Sequence, residues 1–174
     1  ILFDEIKSKY KKIDIFVNNA GNPSETEFGA YTANNIKDSL MANFMSSVLC
    51  TQEAVKLIDK GSILFTSSVY GLQFGGNPSL ALYSAGKAAM ISFTQTISEK
   101  LAPKIRCNAV APGITKTPAW DGVGIANIQK NLDMTLQKEW VEPQEIADAF
   151  VFLAETPHIT GQTIVVDGGW QKKI

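Results

Sequence analysis

A doubly wound α/β fold, a parallel sheet with helices on both faces, is what this sequence predicts. Short, continuously apolar segments alternate with longer stretches of helical periodicity, the pattern of strands buried on both sides. Each of the first three apolar segments runs into a cluster of small and polar residues: Asn18-Asn19-Ala20-Gly21, Ser67-Ser68 and Pro112-Gly113. In such sheets ligands bind just beyond the carboxyl ends of the strands, so these clusters carry the functional weight.

Phe3, Ile6 and Tyr10 keep helical spacing, so the chain opens inside a helix. Ile13 to Val17 is a short strand stopped by Asn18 to Pro23. A long helical stretch from about Asn35 to Ile58 carries Leu40, Phe44, Val48, Val55 and Ile58 on one stripe. Gly61 ends it, and Ser62 to Thr66 is the next strand. A Gly-rich loop crosses to a helix holding Tyr83 and running to about Leu101, where Ala85, Ala88 and Ala89 permit close packing. Ile105 to Val110 is the third strand, followed by an irregular segment up to about Trp140. Glu142-Pro143-Gln144-Glu145 starts a helix with Ile146, Ala149, Phe150 and Leu153 on its buried face. Gln162 to Val166 is the last strand.

The 174 residues suit one domain, and 45% hydrophobic content supplies a sizeable core. A net charge of -1 offers no electrostatic footprint for nucleic acid or an anionic membrane. No apolar run approaches a membrane span and no signal-peptide pattern is present. Cys50 and Cys107 lie in apolar settings and read as small core residues, which fits a reducing compartment, so a cytoplasmic location is expected. His158 is the single histidine, so no metal site and no His-based triad is expected.

Tyr83 and Lys87, at i and i+4 on an apolar helix, share one face. A tyrosine with a pKa of about 10 is a poor acid–base at neutral pH, but a cation about 5 Å away at an effective dielectric of about 20 is worth roughly 3 kcal/mol, or about two pKa units. In bulk water the same pair yields a fraction of a unit, so the chemistry needs a desolvated cleft.

These residues resemble the short-chain dehydrogenase/reductase family, with the match running from Ile13 to Trp170. The pieces that carry it occur in the family's order: Asn18-Asn19-Ala20-Gly21 after a strand, Asn43 in the next helix, Ser68, Tyr83-Ser84-Ala85-Gly86-Lys87, Asn108-Ala109-Val110-Ala111-Pro112-Gly113, and Gly161 with Val165-Val166-Asp167-Gly168-Gly169. The resemblance implies a Rossmann-like sheet and NAD- or NADP-dependent hydride transfer between a carbonyl and an alcohol. It makes Tyr83 the general acid/base, with Lys87 depressing its pKa and bonding the nicotinamide ribose. It has Ser68 orient the substrate oxygen and Asn43 hold a water that links Lys87 to solvent. Ser67 is the neighbouring alternative to Ser68, with its side chain pointing the opposite way if strand geometry persists. Asn19, Ala20 and Gly21 match the cofactor-floor turn, and Pro112, Gly113, Thr115 and Thr117 the nicotinamide-binding loop. Trp120, Met134 and Trp140 flank a substrate-covering segment over about 113–140 and read equally as core anchors. The expected substrate is a small carbonyl or alcohol, whether 3-oxoacyl, sugar or polyol, or steroid-like. A homodimer or homotetramer is expected by resemblance.

Three departures accompany the match. The Ser68 to Tyr83 interval is slightly longer than the family's commonest spacing, so the loop with Phe74 and Gly75-Gly76 is expected to bulge around the substrate. Thr115 stands where many members carry an aliphatic residue. No Gly-x-x-x-Gly-x-Gly phosphate loop precedes Asn18-Asn19-Ala20-Gly21. The expectation is therefore one incomplete domain over residues 1–174, the carboxyl-terminal part of the fold. Three βα units, roughly 70–90 residues, would precede it, supplied by a longer polypeptide or by another chain. The alternative is a catalytically silent subunit with a binding or assembly role.

Overall fold

The computed structural model describes residues 2–72 and 77–170; the bulge expected around Phe74 and Gly75-Gly76 lies outside the described residues. Four strands, β1 (Ile15–Asn18), β2 (Gly61–Thr66), β3 (Ile105–Pro112) and β4 (Thr163–Val166), form one sheet in the order β1-β2-β3-β4. All three pairings are parallel, with Phe16 opposite Ile63, Leu64 opposite Asn108 and Val110 opposite Ile164. Successive strands cross over through helices, so every carboxyl end lies on one rim.

The period-2 alternation of the central strands divides the core. Ile63 and Phe65 of β2, with Ile105, Cys107 and Ala109 of β3, pack with Ala54, Ile58 and Met90. The helices on that face are α1 (Leu2–Tyr10), α3 (Ser46–Ala54) and α4 (Ala81–Leu101). Leu64 and Val110 point the other way, onto Leu153 of α6 (Pro143–Glu155). Cys107 is fully buried and its thiol is pushed up to about 12 by burial, so it serves as an inert core residue. Cys50 is a free thiol, half-buried on α3. Among the described residues no helix is long and apolar enough to cross a membrane.

The long helix expected from Asn35 to Ile58 is instead interrupted. Thr32 caps α2 (Ala33–Leu40) through a capping box with Asn35. Met41–Met45 then forms a wider π turn before α3 begins. The cause is Asn43, whose Nδ2 donates to the Ser39 carbonyl at 2.9 Å, the acceptor its own N–H would take in a regular α-helix. The segment expected to be irregular up to Trp140 also contains a helix, α5 (Ile125–Asp133). Its apolar contribution is sparse, with Ile128 and Leu132 alone joining the cluster of Val69, Ile114 and Trp170, so periodicity did not announce it.

Arg106 ties β3 to the end of α6. Its Nη1 donates to the Leu153 carbonyl at 2.6 Å and the Ile159 carbonyl at 3.3 Å, and its Nη2 to the Ala154 carbonyl. The Leu153 and Ala154 carbonyls are ones that the end of α6 leaves without intrahelical partners, and the cation also suits the dipole there. Arg106→Met should lower unfolding free energy by about 2–4 kcal/mol, since bonds to charged groups are worth about 1.5–3 kcal/mol each. Urea denaturation with an unchanged slope reads this; a midpoint equal to wild type would refute the capping role.

Candidate active site

The rim is assembled from three strand ends and the start of α4. At the β1 end, Asn18 Nδ2 donates to Thr51 Oγ1 of α3 at 3.2 Å, anchoring the turn that follows. Asn22 is clamped on both sides by Asn43: its N–H donates to Asn43 Oδ1 and its carbonyl accepts from Asn43 Nδ2, each at 2.9 Å. Asn43 is 1% exposed, and all three of its side-chain bonds go to backbone. It positions the turn.

Gly21 sits inside that clamp. A Cβ there would lie 2.9 Å from Lys87 Nζ and 3.1 Å from Asn43 Oδ1, so only glycine leaves the space open. Asn19, on the same turn, accepts from Thr66 Oγ1 at 2.9 Å through its Oδ1, while Ala20 is exposed beside it.

Ser67 and Ser68, at the β2 end, take different directions, as alternation requires. Ser67 Oγ donates to the Lys87 carbonyl at 2.8 Å, fastening β2 to α4. Ser68 Oγ accepts from the Tyr70 N–H at 3.2 Å, and the Ser68 side chain lowers the neighbouring Tyr83 phenol against the effect of its burial. Gly71 continues the wrap: a Cβ there would meet the Lys87 carbonyl carbon at 2.7 Å. Ser68, not Ser67, is therefore the serine that reaches Tyr83.

Lys87 is 3% exposed, and its Nζ donates to the Thr66 carbonyl at 2.8 Å. It lies 5.7 Å from the centre of the Tyr83 ring. Burial lowers the ammonium to about 8. Burial also raises the Tyr83 phenol, with the Ser68 side chain opposing the rise. Burial thus acts on the two groups in opposite directions, raising the phenol and lowering the ammonium.

The β3 end lies on the same rim. Pro112 closes the strand, and the Gly113 N–H donates to the Val166 carbonyl at 2.8 Å. A Cβ on Gly113 would stand 2.6 Å from the Asp167 Cα. Thr115 Oγ1 donates to the Gly113 carbonyl at 3.2 Å, and Thr115 bridges to Val141. Thr117 is exposed at the head of a short turn, Pro118–Trp120. Trp120 and Trp140 meet edge to face at 5.3 Å and pack on the Val69, Ile114, Leu132 and Trp170 cluster; Met134, at 36% exposure, stands outside it.

Sequence reading overlooked Thr66, whose carbonyl holds Lys87, and Tyr70, whose ring lies 6.3 Å from that of Tyr83. A backbone carbonyl leaves no trace in side-chain identity. An aromatic two positions beyond Ser68 was the available sign of the second.

Fold and rim together define an α/β protein with a buried lysine, a phenol and a serine hydroxyl converging at the carboxyl edge of a parallel sheet. A family model described as enoyl-(acyl carrier protein) reductase matches residues 1–171. A 3-oxoacyl-[acyl-carrier-protein] reductase of Synechocystis is 36% identical over 168 residues, covering 92% of this chain and 66% of the relative. Tropinone reductase-like 3 of Erythroxylum coca is 34% identical, covering 99% and 69%, and 3alpha-hydroxysteroid dehydrogenase of Mediterraneibacter gnavus 36%, covering 96% and 68%. The chain belongs to the short-chain dehydrogenase/reductase family, oxidoreductases acting on CH–OH and C=O groups. It spans about two thirds of the length of these relatives.

Proposed function

We propose that this protein interconverts a carbonyl and an alcohol with NAD or NADP, Tyr83 carrying the proton. The observation that supports it most directly is the Ser68–Tyr83–Lys87 group, with the Ser68 side chain acting on the phenol and a buried ammonium 5.7 Å from the centre of its ring. The nicotinamide end of the cofactor fits the residues present: the space that a Gly21 side chain would fill lies against Lys87 Nζ, and the turn after β3 lies on the same rim of the sheet. Lys87 would hold the ribose hydroxyls, Asn19, Ala20 and Gly21 the floor, and Pro112, Gly113, Thr115 and Thr117 the carboxamide side. When bound, the nicotinamide supplies or accepts the hydride.

In the reductive direction the Tyr83 O–H protonates the substrate oxygen, and in the oxidative direction the phenolate takes the proton back. Ser68 donates to the same oxygen and fixes it within reach of the phenol. Lys87 stabilises the phenolate when it forms. Asn43 acts through the turn that it clamps. The substrate is a small carbonyl or alcohol; names among the relatives include acyl-carrier-protein, tropinone and hydroxysteroid substrates. A homodimer or homotetramer in the cytoplasm is proposed as well.

Nicotinamide absorbance followed with a panel of carbonyl compounds tests the reading, with Ser68→Ala alongside. Loss of one donor to the substrate oxygen should cut kcat by about 10²–10³. No turnover of any carbonyl by the wild-type chain would favour the silent-subunit alternative.

A further inference from the structure

Tyr70 follows the catalytic serine on the short turn Val69–Gly71, with its N–H donating to Ser68 Oγ at 3.2 Å. Its ring stands edge-on to Tyr83, with centroids 6.3 Å apart and planes at 71°. Behind it lies Trp170, 5.4 Å away at 54° and only 2% exposed. Trp170 reaches that place through Gly168 and Gly169, which turn the chain at φ 61° and 82°, values that favour glycine. A buried indole thus braces a half-buried tyrosine against the reacting phenol. The Tyr70 hydroxyl has no hydrogen-bond partner among the described residues, and burial together with Tyr83 and Glu25 holds it in the neutral form.

Such a wall is flat, apolar and fixed at both edges. A ring-shaped substrate body gains contact with it without freezing internal torsions, whereas an extended acyl chain must immobilise several bonds for the same area. Resting on the oxidoreductase reading above, we propose that Tyr70 is a specificity-determining residue that selects ketones whose carbonyl belongs to a ring. The ring lies on the Tyr70 face and presents its oxygen to Tyr83 and Ser68.

The test compares decalone, a fused-ring ketone, with S-acetoacetyl-N-acetylcysteamine, a linear 3-oxo thioester, on the full chain with its nicotinamide cofactor. Wild type should bind decalone at least about tenfold more tightly by equilibrium dialysis, a discrimination within the range of pocket contacts. Tyr70→Ala should raise Kd and KM for decalone about tenfold with kcat nearly unchanged, while the thioester constants stay within about twofold. Tyr70→Phe should behave as wild type, and Tyr70→Leu, which keeps bulk, should repeat the alanine result if that variant folds poorly. Tighter binding of the thioester, equal losses for both compounds, or no loss for either would overturn the proposal. Dialysis needs no turnover, so a Tyr83→Phe variant that remained active would sink the acid–base assignment while leaving the Tyr70 comparison readable.

Discussion

Tyr83→Phe is expected to lower kcat by about 10²–10⁴, the usual contribution of a positioned general acid–base, with KM changed little. The ring stays, so its edge contact with Tyr70 and its place above Lys87 persist. What goes is the hydroxyl on which the Ser68 side chain acts. Folding stability should move by no more than about 1 kcal/mol, because a single hydroxyl is lost and the ring packing is kept. Since burial raises the phenol, wild-type reduction should hold its proton donor throughout the neutral range, and oxidation should accelerate as pH rises. Steady-state rates in both directions check this, and a phenylalanine variant as fast as wild type would remove Tyr83 from the reaction.

Lys87→Met is expected to abolish most activity and yet stabilise the fold near neutral pH. Placing an ammonium at 3% exposure lowers its pKa from 10.5 to about 8, a difference of about 3 kcal/mol at roughly 1.4 kcal/mol per unit. Between about pH 8 and 10.5 the unfolded chain binds more protons at this site than the folded chain, so wild-type stability climbs through that window. Below about pH 8 both states are protonated and the full cost of burying the charge remains. Methionine carries no charge but leaves the Thr66 carbonyl without its donor, which offsets about 1–3 kcal/mol. The variant should therefore exceed wild type by about 1–2 kcal/mol near pH 6, and the gap should close above about pH 8. Thermal unfolding at several pH values reads the difference; a gap that widens on going alkaline would contradict the burial account.

Much of the parallel sheet was legible because its strands are apolar runs with small polar stops, and β2 and β3 fall within two residues of their expected limits. Tyr83, Lys87 and Ser68 were legible for the same reason: a helical spacing and a strand end are local properties. Asn43 was legible as a residue but not as a device. Besides the Ser39 carbonyl of its own helix, its side chain clamps the backbone of a loop 21 residues away. Helix α5 was missed because its burial comes from Val69, Ile114 and Trp170, distant in the chain, more than from its own periodicity.

The amino-acid order by itself determined which titratable and hydroxyl groups share one rim, since strand period, helix period and strand stops are set within a few residues. Only the tertiary structure decided their electrostatics and their surroundings. How much water the Lys87 ammonium loses is set by segments distant in the chain: the Thr66 carbonyl accepts its hydrogen bond at the β2 end, and Gly21, on the turn after β1, leaves no side chain beside it.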